Sequence, residues 1–166
     1  MTLGSHERPQ RGSTDVWLTP KPLIDLLGPF DLDPCSATNP PWPTARHHFT
    51  EVDDGLTQSW EPFGIVWLNP PYSAVWRWLE RLASHPAGGV ALIFARTETV
   101  GFHSQVFAMA DAIAFPRGRI TFCRADGTPG PGNAGAPSCF IAYGEDAANR
   151  LDRLQCPIMR NWQPAA

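Results

Sequence analysis

The tetrapeptide Asn69-Pro70-Pro71-Tyr72 sets a side-chain amide, a stiffened backbone and an aromatic ring side by side. The Asn69 side-chain carbonyl and the Pro70 backbone carbonyl are two acceptors, and consecutive prolines keep them aimed because their φ is locked. Two such acceptors can bond both hydrogens of an amine whose lone pair is delocalised into a ring. That favours the tetrahedral nitrogen and frees its lone pair for attack on a methyl sulfonium. The expected chemistry is therefore methyl transfer from S-adenosylmethionine. Tyr72 supplies a plane on which a base can stack once it leaves its helix. No general base with a shifted pKa is needed, because the methylated product sheds its proton readily. A turn that merely ends a buried strand could carry the same residues, since Asn-Pro is a common turn opener. What favours chemistry is the context: an apolar strand before it, a capped helix after it and an acidic strand end upstream.

The elements that must position this group follow from the patterning. Thr19-Pro20 predicts the start of a short helix, with threonine as N-cap and proline in the first position, ended by Gly28. Phe30 to Asp33 reads as a short strand running into Pro34. Gly64 to Leu68 is a continuous apolar run, as expected for a strand buried on both faces. Ser73 can cap a helix whose buried face is Val75, Trp78, Leu79 and Leu82. Val90 to Ala95 is a second apolar strand, and Phe102, Val106 and Met109 mark the apolar face of another helix. Strands at 112–115, 119–123 and 138–143 and a surface helix over 145–154 complete the series. Alternating strands and helices predict an α/β fold, a Rossmann-like, mostly parallel sheet with an antiparallel C-terminal hairpin at its edge. Ligands of such sheets bind beyond the C-terminal strand ends, where Asp33 and Asn69 both fall.

Composition bounds the rest. With 166 residues, 43% of them hydrophobic, the chain suits a single domain over residues 15–155, between a flexible tail at 1–14 and a second tail at 156–166. No apolar run is long enough to span a membrane, and Met1 to Thr14 lacks the apolar stretch of a signal peptide, so the expected setting is the cytoplasm. Cys35, Cys123, Cys139 and Cys156 form no Cys-x-x-Cys pair, and His47-His48 has no matching ligands nearby, so no metal site is expected. The net charge of −3 makes the whole molecule no magnet for nucleic acid. Arg96, Arg117, Arg119 and Arg124 nevertheless fall in one stretch poor in acids, which reads either as a solvated face or as a phosphate-binding patch.

Several segments, in order, resemble the phage-type DNA N-6-adenine methyltransferases, a small family related to the Dam-like enzymes. They are Asp15-Val16-Trp17-Leu18-Thr19-Pro20, Phe30-Asp31-Leu32-Asp33-Pro34-Cys35, Asp54-Gly55-Leu56 with Trp60, Asn69-Pro70-Pro71-Tyr72, Arg96-Thr97-Glu98-Thr99 with Phe102-His103, Gly118-Arg119-Ile120 with Phe122, and Gly135-Ala136-Pro137-Ser138. The resemblance implies S-adenosylmethionine as cofactor, double-stranded DNA as partner, a bacterial or phage-infected host cell, and a monomer or weak homodimer. It implies that Trp17, Thr19 and Pro20 help hold the cofactor, with Asn69 beside it. Asp33, Pro34 and Cys35 would line its methionine and ribose side; a buried carboxylate at a strand end needs partners that a ribose hydroxyl can supply. Asp54 would accept from the cofactor's adenine amine, with Asp53 the competing choice. Arg96, Arg119 and Ser138 are the DNA-side candidates, although an ion pair with Glu98 or Asp111 would also explain Arg96. His103 reads as a packed or surface histidine. The glycine-rich turn common after the first strand of methyltransferases is replaced by Asp33-Pro34-Cys35-Ser36. Target recognition is expected from loops 34–50 and 124–137. Methylation of a protein glutamine amide or of RNA, and a catalytically silent nucleic-acid-binding domain, are the competing readings.

Overall fold

In a computed structural model, residues 17–132 and 134–162 are described. The expected tail at 1–14, together with Asp15 and Val16, lies outside them. Four α-helices among the described residues are α1 (Lys21–Leu27), α2 (Val75–Ala83), α3 (Val100–Phe102) and α4 (Glu145–Arg150). The strands are β1 (Leu32–Asp33), β2 (His47–His48), β3 (Val66–Leu68), β4 (Gly89–Phe94), β5 (Ala112–Ala114), β6 (Ser138–Tyr143) and β7 (Ile158–Arg160). They form one seven-stranded sheet in the order β2-β1-β3-β4-β6-β5-β7. Pairings from β2 through β4 are parallel; those of β6 with β4 and β5, and of β7 with β5, are antiparallel.

Helices cover both faces of this sheet. Val75, Trp78, Leu79 and Leu82 of α2 and Phe102 of α3 pack with Leu32, Val66, Leu68, Ala91 and Ile141 on one side. Ile24 and Leu27 of α1 and Ala147, Ala148 and Leu151 pack with Trp67, Val90, Leu92 and Phe140 on the other. Alternate residues of β3 and β4 thus point to opposite cores, which is why both strands read as unbroken apolar runs. The α2 face matches the i, i+3, i+4, i+7 spacing of the sequence.

Several boundaries differ from expectation. Pro20, not Thr19, is the N-cap of α1, and its ring occupies the cap without a side-chain bond. A 3-10 turn over Tyr72–Ala74 precedes α2, so Ser73 caps nothing. After α3 the chain widens into a π-helical turn, His103–Phe107, and Met109 ends exposed. Segment 119–123 joins no strand of the sheet: Cys123 bridges Leu18 and Pro129 in a small separate ribbon. The antiparallel hairpin at the edge is absent, because all six residues of β6 are buried and β6 sits between β4 and β5. The edge belongs instead to β7, inside the segment expected to be a tail. Trp162 beyond it donates to the Phe107 carbonyl at 2.7 Å and packs on the Phe107 ring.

Removing residues 156–166 should therefore uncover β5 and lower stability by about 2–4 kcal/mol, from lost ladder bonds and apolar burial. Denaturant melts of the truncated and full chains check this; equal midpoints would contradict the assignment of β7 to the sheet.

Candidate active site

From β1 the chain passes outward to β2, then crosses back to β3 on the far side of β1. Loops leaving the C-terminal ends of β1 and β3 depart in opposite directions, and a crevice opens between them. One loop begins Pro34-Cys35 and the other Asn69-Pro70. They touch at the Cys35 thiol, which donates to the Asn69 carbonyl at 3.4 Å.

Asp33 closes β1 with only 4% of its surface exposed. Its carboxylate accepts from the Cys35 amide at 3.1 Å and from the Thr44 hydroxyl. The partners that the sequence reading assigned to a ribose thus come from the protein itself, and Asp33 fastens the 34–44 loop to the strand end. Desolvation raises its carboxyl to about 6 in spite of those bonds. A third segment arrives at Gly55, where a Cβ would lie 1.8 Å from the Pro34 carbonyl oxygen. Only glycine permits that approach, and it brings Asp53 and Asp54 beside the Pro34-Cys35 loop. The Asp53 carboxylate is already bonded to the Thr50 amide and hydroxyl, at 2.8 and 2.9 Å, which hold it below the usual carboxylate range. Asp54, at φ 50°, is exposed, and its carboxylate has no partner among the described residues.

Asn69 is held from its nitrogen side. Its Nδ2 donates to the Trp17 carbonyl at 3.1 Å. A carbonyl can only accept, so the amide is fixed with Oδ1 turned away from Trp17. Neither that oxygen nor the Pro70 carbonyl takes a hydrogen bond from a described residue. Tyr72 stacks on Phe94 with ring centres 4.2 Å apart and planes 15° apart, and its hydroxyl accepts from the Phe94 amide at 2.9 Å. It keeps 48% of its surface exposed. Beside these residues lies a cavity of about 220 Å³ walled by Trp17, Tyr72, Phe94 and Phe122 together with Asn69, Gly132, Ala134 and Gly135. The sequence reading missed Phe94 as a wall; a phenylalanine closing a strand next to the one that delivers Asn69 was the available signal.

The remaining candidates separate. Thr19 is buried with its hydroxyl unpartnered, between half-exposed Trp17 and the α1 cap Pro20. Arg96 is exposed and forms no ion pair among the described residues; Asp111, one suggested partner, accepts instead from the Gly144 amide at 2.6 Å. Its charge lies close enough to favour ionisation of the Tyr72 hydroxyl, although burial dominates and raises that group. Arg119 donates through one nitrogen to the Ala134 and Gly135 carbonyls, at 3.1 and 3.3 Å. Ser138 is corrected as a surface contact: it lies in β6 in register with Phe94, 5% exposed, and its hydroxyl is buried. Among the described residues no group of three potential metal ligands converges. A larger cavity, about 480 Å³, lies at the opposite end of the sheet, where His85 meets the Gly64 carbonyl ahead of β3, and contains none of these residues.

The site lies on an α/β fold, at the switch point between the loops after β1 and β3, beside an aromatic cavity at Asn69. The family model described as DNA N-6-adenine-methyltransferase (Dam) matches residues 6–144, and the chain belongs to that family. No curated protein and no solved structure gave a match.

The Asp33 carboxyl sits above its unfolded value of 3.8, so the native state binds the extra proton between pH 4 and 6. Stability from this group is fully present below pH 4 and declines as pH rises to 6, by up to about 3 kcal/mol. Asp33→Asn should remove that decline. Urea melts at pH 4, 5, 6 and 8 check it, and a wild-type midpoint that rises through this window as the variant's does would contradict it.

Proposed function

We propose that the protein transfers a methyl group from S-adenosylmethionine to the N-6 amine of adenine in double-stranded DNA, at the Asn69-Pro70-Pro71-Tyr72 turn. The observation that carries this is the state of Asn69: nitrogen bonded to Trp17, oxygen unbonded, and an unbonded Pro70 carbonyl next to it. Those two acceptors suit the two hydrogens of an exocyclic amine. The aromatic cavity beside them suits a base turned out of its duplex.

On the other side of Asn69 the residues fit the cofactor by their chemistry. Cys35, Pro34 and the Gly55 approach form a close-walled cradle, and Asp54 offers an exposed carboxylate to an adenine amine. Trp17, Thr19 and Pro20 are further cofactor candidates: Trp17 reaches the site through its carbonyl on Asn69, and the buried Thr19 hydroxyl is unpartnered. Asp33 acts by holding the loop. S-adenosylmethionine, when bound, supplies a methyl carbon on a sulfonium. The chain's own part is to turn the base amine toward that carbon, to draw its hydrogens onto Asn69 Oδ1 and the Pro70 carbonyl, and to exclude water with Tyr72, Phe94 and Phe122. As the new N–C bond forms, the C–S electron pair returns to sulfur, and the nitrogen's surplus proton passes to solvent. Arg96 is positioned for a DNA phosphate. We read the sheet as Rossmann-like; its parallel half has a switch point between β1 and β3, where α/β sheets hold ligands. The expected setting is the cytoplasm, where its DNA would lie.

At saturating cofactor, Asn69→Ala should cut methyl transfer about 100- to 1000-fold. Label incorporation from S-adenosylmethionine into duplex DNA, followed by nucleoside mass spectrometry, measures this. Methylated glutamine with unmodified nucleosides would replace DNA as the acceptor. Asp54→Ala should weaken S-adenosylmethionine binding about tenfold by calorimetry, and Asp53→Ala less; the reverse order would assign the contact to Asp53.

A further inference from the structure

We infer that Arg119 is a positioning residue for the base cavity, holding its Ala134 and Gly135 wall by the backbone, and is not a clamp on a DNA phosphate. This rests on the methyltransferase reading above. This part of the wall carries no side chain larger than a methyl group among its described residues. A Cβ placed at Gly132 or at Gly135 would meet nothing within 4 Å, so open space lies on that side of each. The Gly130 amide donates to the Phe122 carbonyl at 2.8 Å ahead of this wall, and two further backbone bonds follow: the Ala134 amide donates to the Ile120 carbonyl at 2.9 Å, and the Ala95 amide donates to the Pro137 carbonyl at 2.8 Å. Between them the Ala134 and Gly135 carbonyls both turn toward Arg119 and share one of its terminal nitrogens. Two carbonyl dipoles converging on one side chain repel each other unless a donor stands between them, and a charged donor makes the stronger bond. Ala134 and Gly135 line the cavity opposite no bulky side chain of their own, so their placement decides how closely a base is held.

Arg96 differs: its guanidinium has no bond or ion pair among the described residues, which is the state expected of a phosphate contact. The two arginines therefore separate in experiment. A phosphate contact contributes to the salt dependence of DNA binding, and its loss reduces the slope of log K against log salt by about one. A pin on the cavity wall leaves that slope alone and acts on turnover, because loosening a bound base by a fraction of an ångström takes it out of line for attack.

The test uses the full chain saturated with S-adenosylmethionine and unmethylated genomic DNA. Arg119→Ala and the milder Arg119→Gln are each confirmed to bind cofactor by calorimetry, with Arg119→Lys as the conservative variant. Expected for Arg119→Ala is a kcat about 10- to 100-fold below wild type, an unchanged KM for DNA and an unchanged salt slope. Arg119→Lys, which keeps a charged donor, recovers part of the kcat. Arg96→Ala shows the opposite pattern, with a shallower slope and a raised KM. An Arg119→Ala slope lowered by about one with kcat intact makes Arg119 a phosphate contact and overturns the inference, as does a variant indistinguishable from wild type. A wild-type protein that binds cofactor but labels no DNA removes the methyltransferase reading itself, a failure visible before any variant is compared.

Discussion

Where β1 meets β3, the Asp31 amide donates to the Ile65 carbonyl at 2.8 Å, and the Asp31 carboxylate accepts from the Ile65 amide at 3.1 Å. The same carboxylate takes Arg46 Nη1 at 3.0 Å, just ahead of β2. One aspartate thus ties together the three strands around which the chain reverses its direction of winding. Gly64 permits it, since a Cβ there would lie 2.2 Å from the Asp31 oxygen. Everything that follows depends on this junction. If β1 and β3 did not pair in parallel here, Asp33 and Asn69 would not end on one edge and no crevice would open between their loops.

Within that crevice the protein fixes its site with backbone rather than with long side chains. Trp17 contributes a carbonyl to Asn69, Phe94 an amide to Tyr72, Asn69 a carbonyl to Cys35, and Cys35 an amide to Asp33. Three of these bonds join different stretches of chain, and the fourth, from Cys35 to Asp33, closes the turn directly after β1. Side-chain entropy is small at such contacts, because one partner is already ordered by the fold. The acceptors left free, Asn69 Oδ1 and the Pro70 carbonyl, stand out because their surroundings are so fully bonded.

Much of this was legible in the sequence. The α2 face could be read from spacing alone, because a half-buried helix prints its period on the chain. Asn69 at the end of a buried strand could be read from the apolar run before it. The position of β6 could not: a strand buried on both faces shows the same apolar run whether its neighbours are parallel or antiparallel, so Ser138 to Tyr143 gave no sign that it enters the middle of the sheet. Ile158–Arg160, three residues directly after Pro157, was too short to announce a strand; its partner β5 makes it one. Asp33 was placed at the correct end of the crevice, but its bonds to Thr44 and Cys35 depend on how a proline-rich loop folds back, which no local pattern encodes. Arg119 read as one more surface cation for a related reason, since the carbonyls it serves come from a loop without periodicity.

The walls of the base cavity come from Trp17, from the turn after β3, from the end of β4 and from the ribbon around Cys123. One stretch, with Phe122, Gly132, Ala134 and Gly135, supplies half of the lining residues, and the other half comes from three separate stretches. Such a cavity has no existence in a partly made or partly folded chain; it appears only when the last long-range pairings close, and these are the slow ones. A ligand in it is therefore linked to the folding of the whole sheet and not to one loop, and occupancy stabilises the entire molecule by mass action. During synthesis the same linkage works as a delay: the cavity is complete only after the chain has finished becoming a protein.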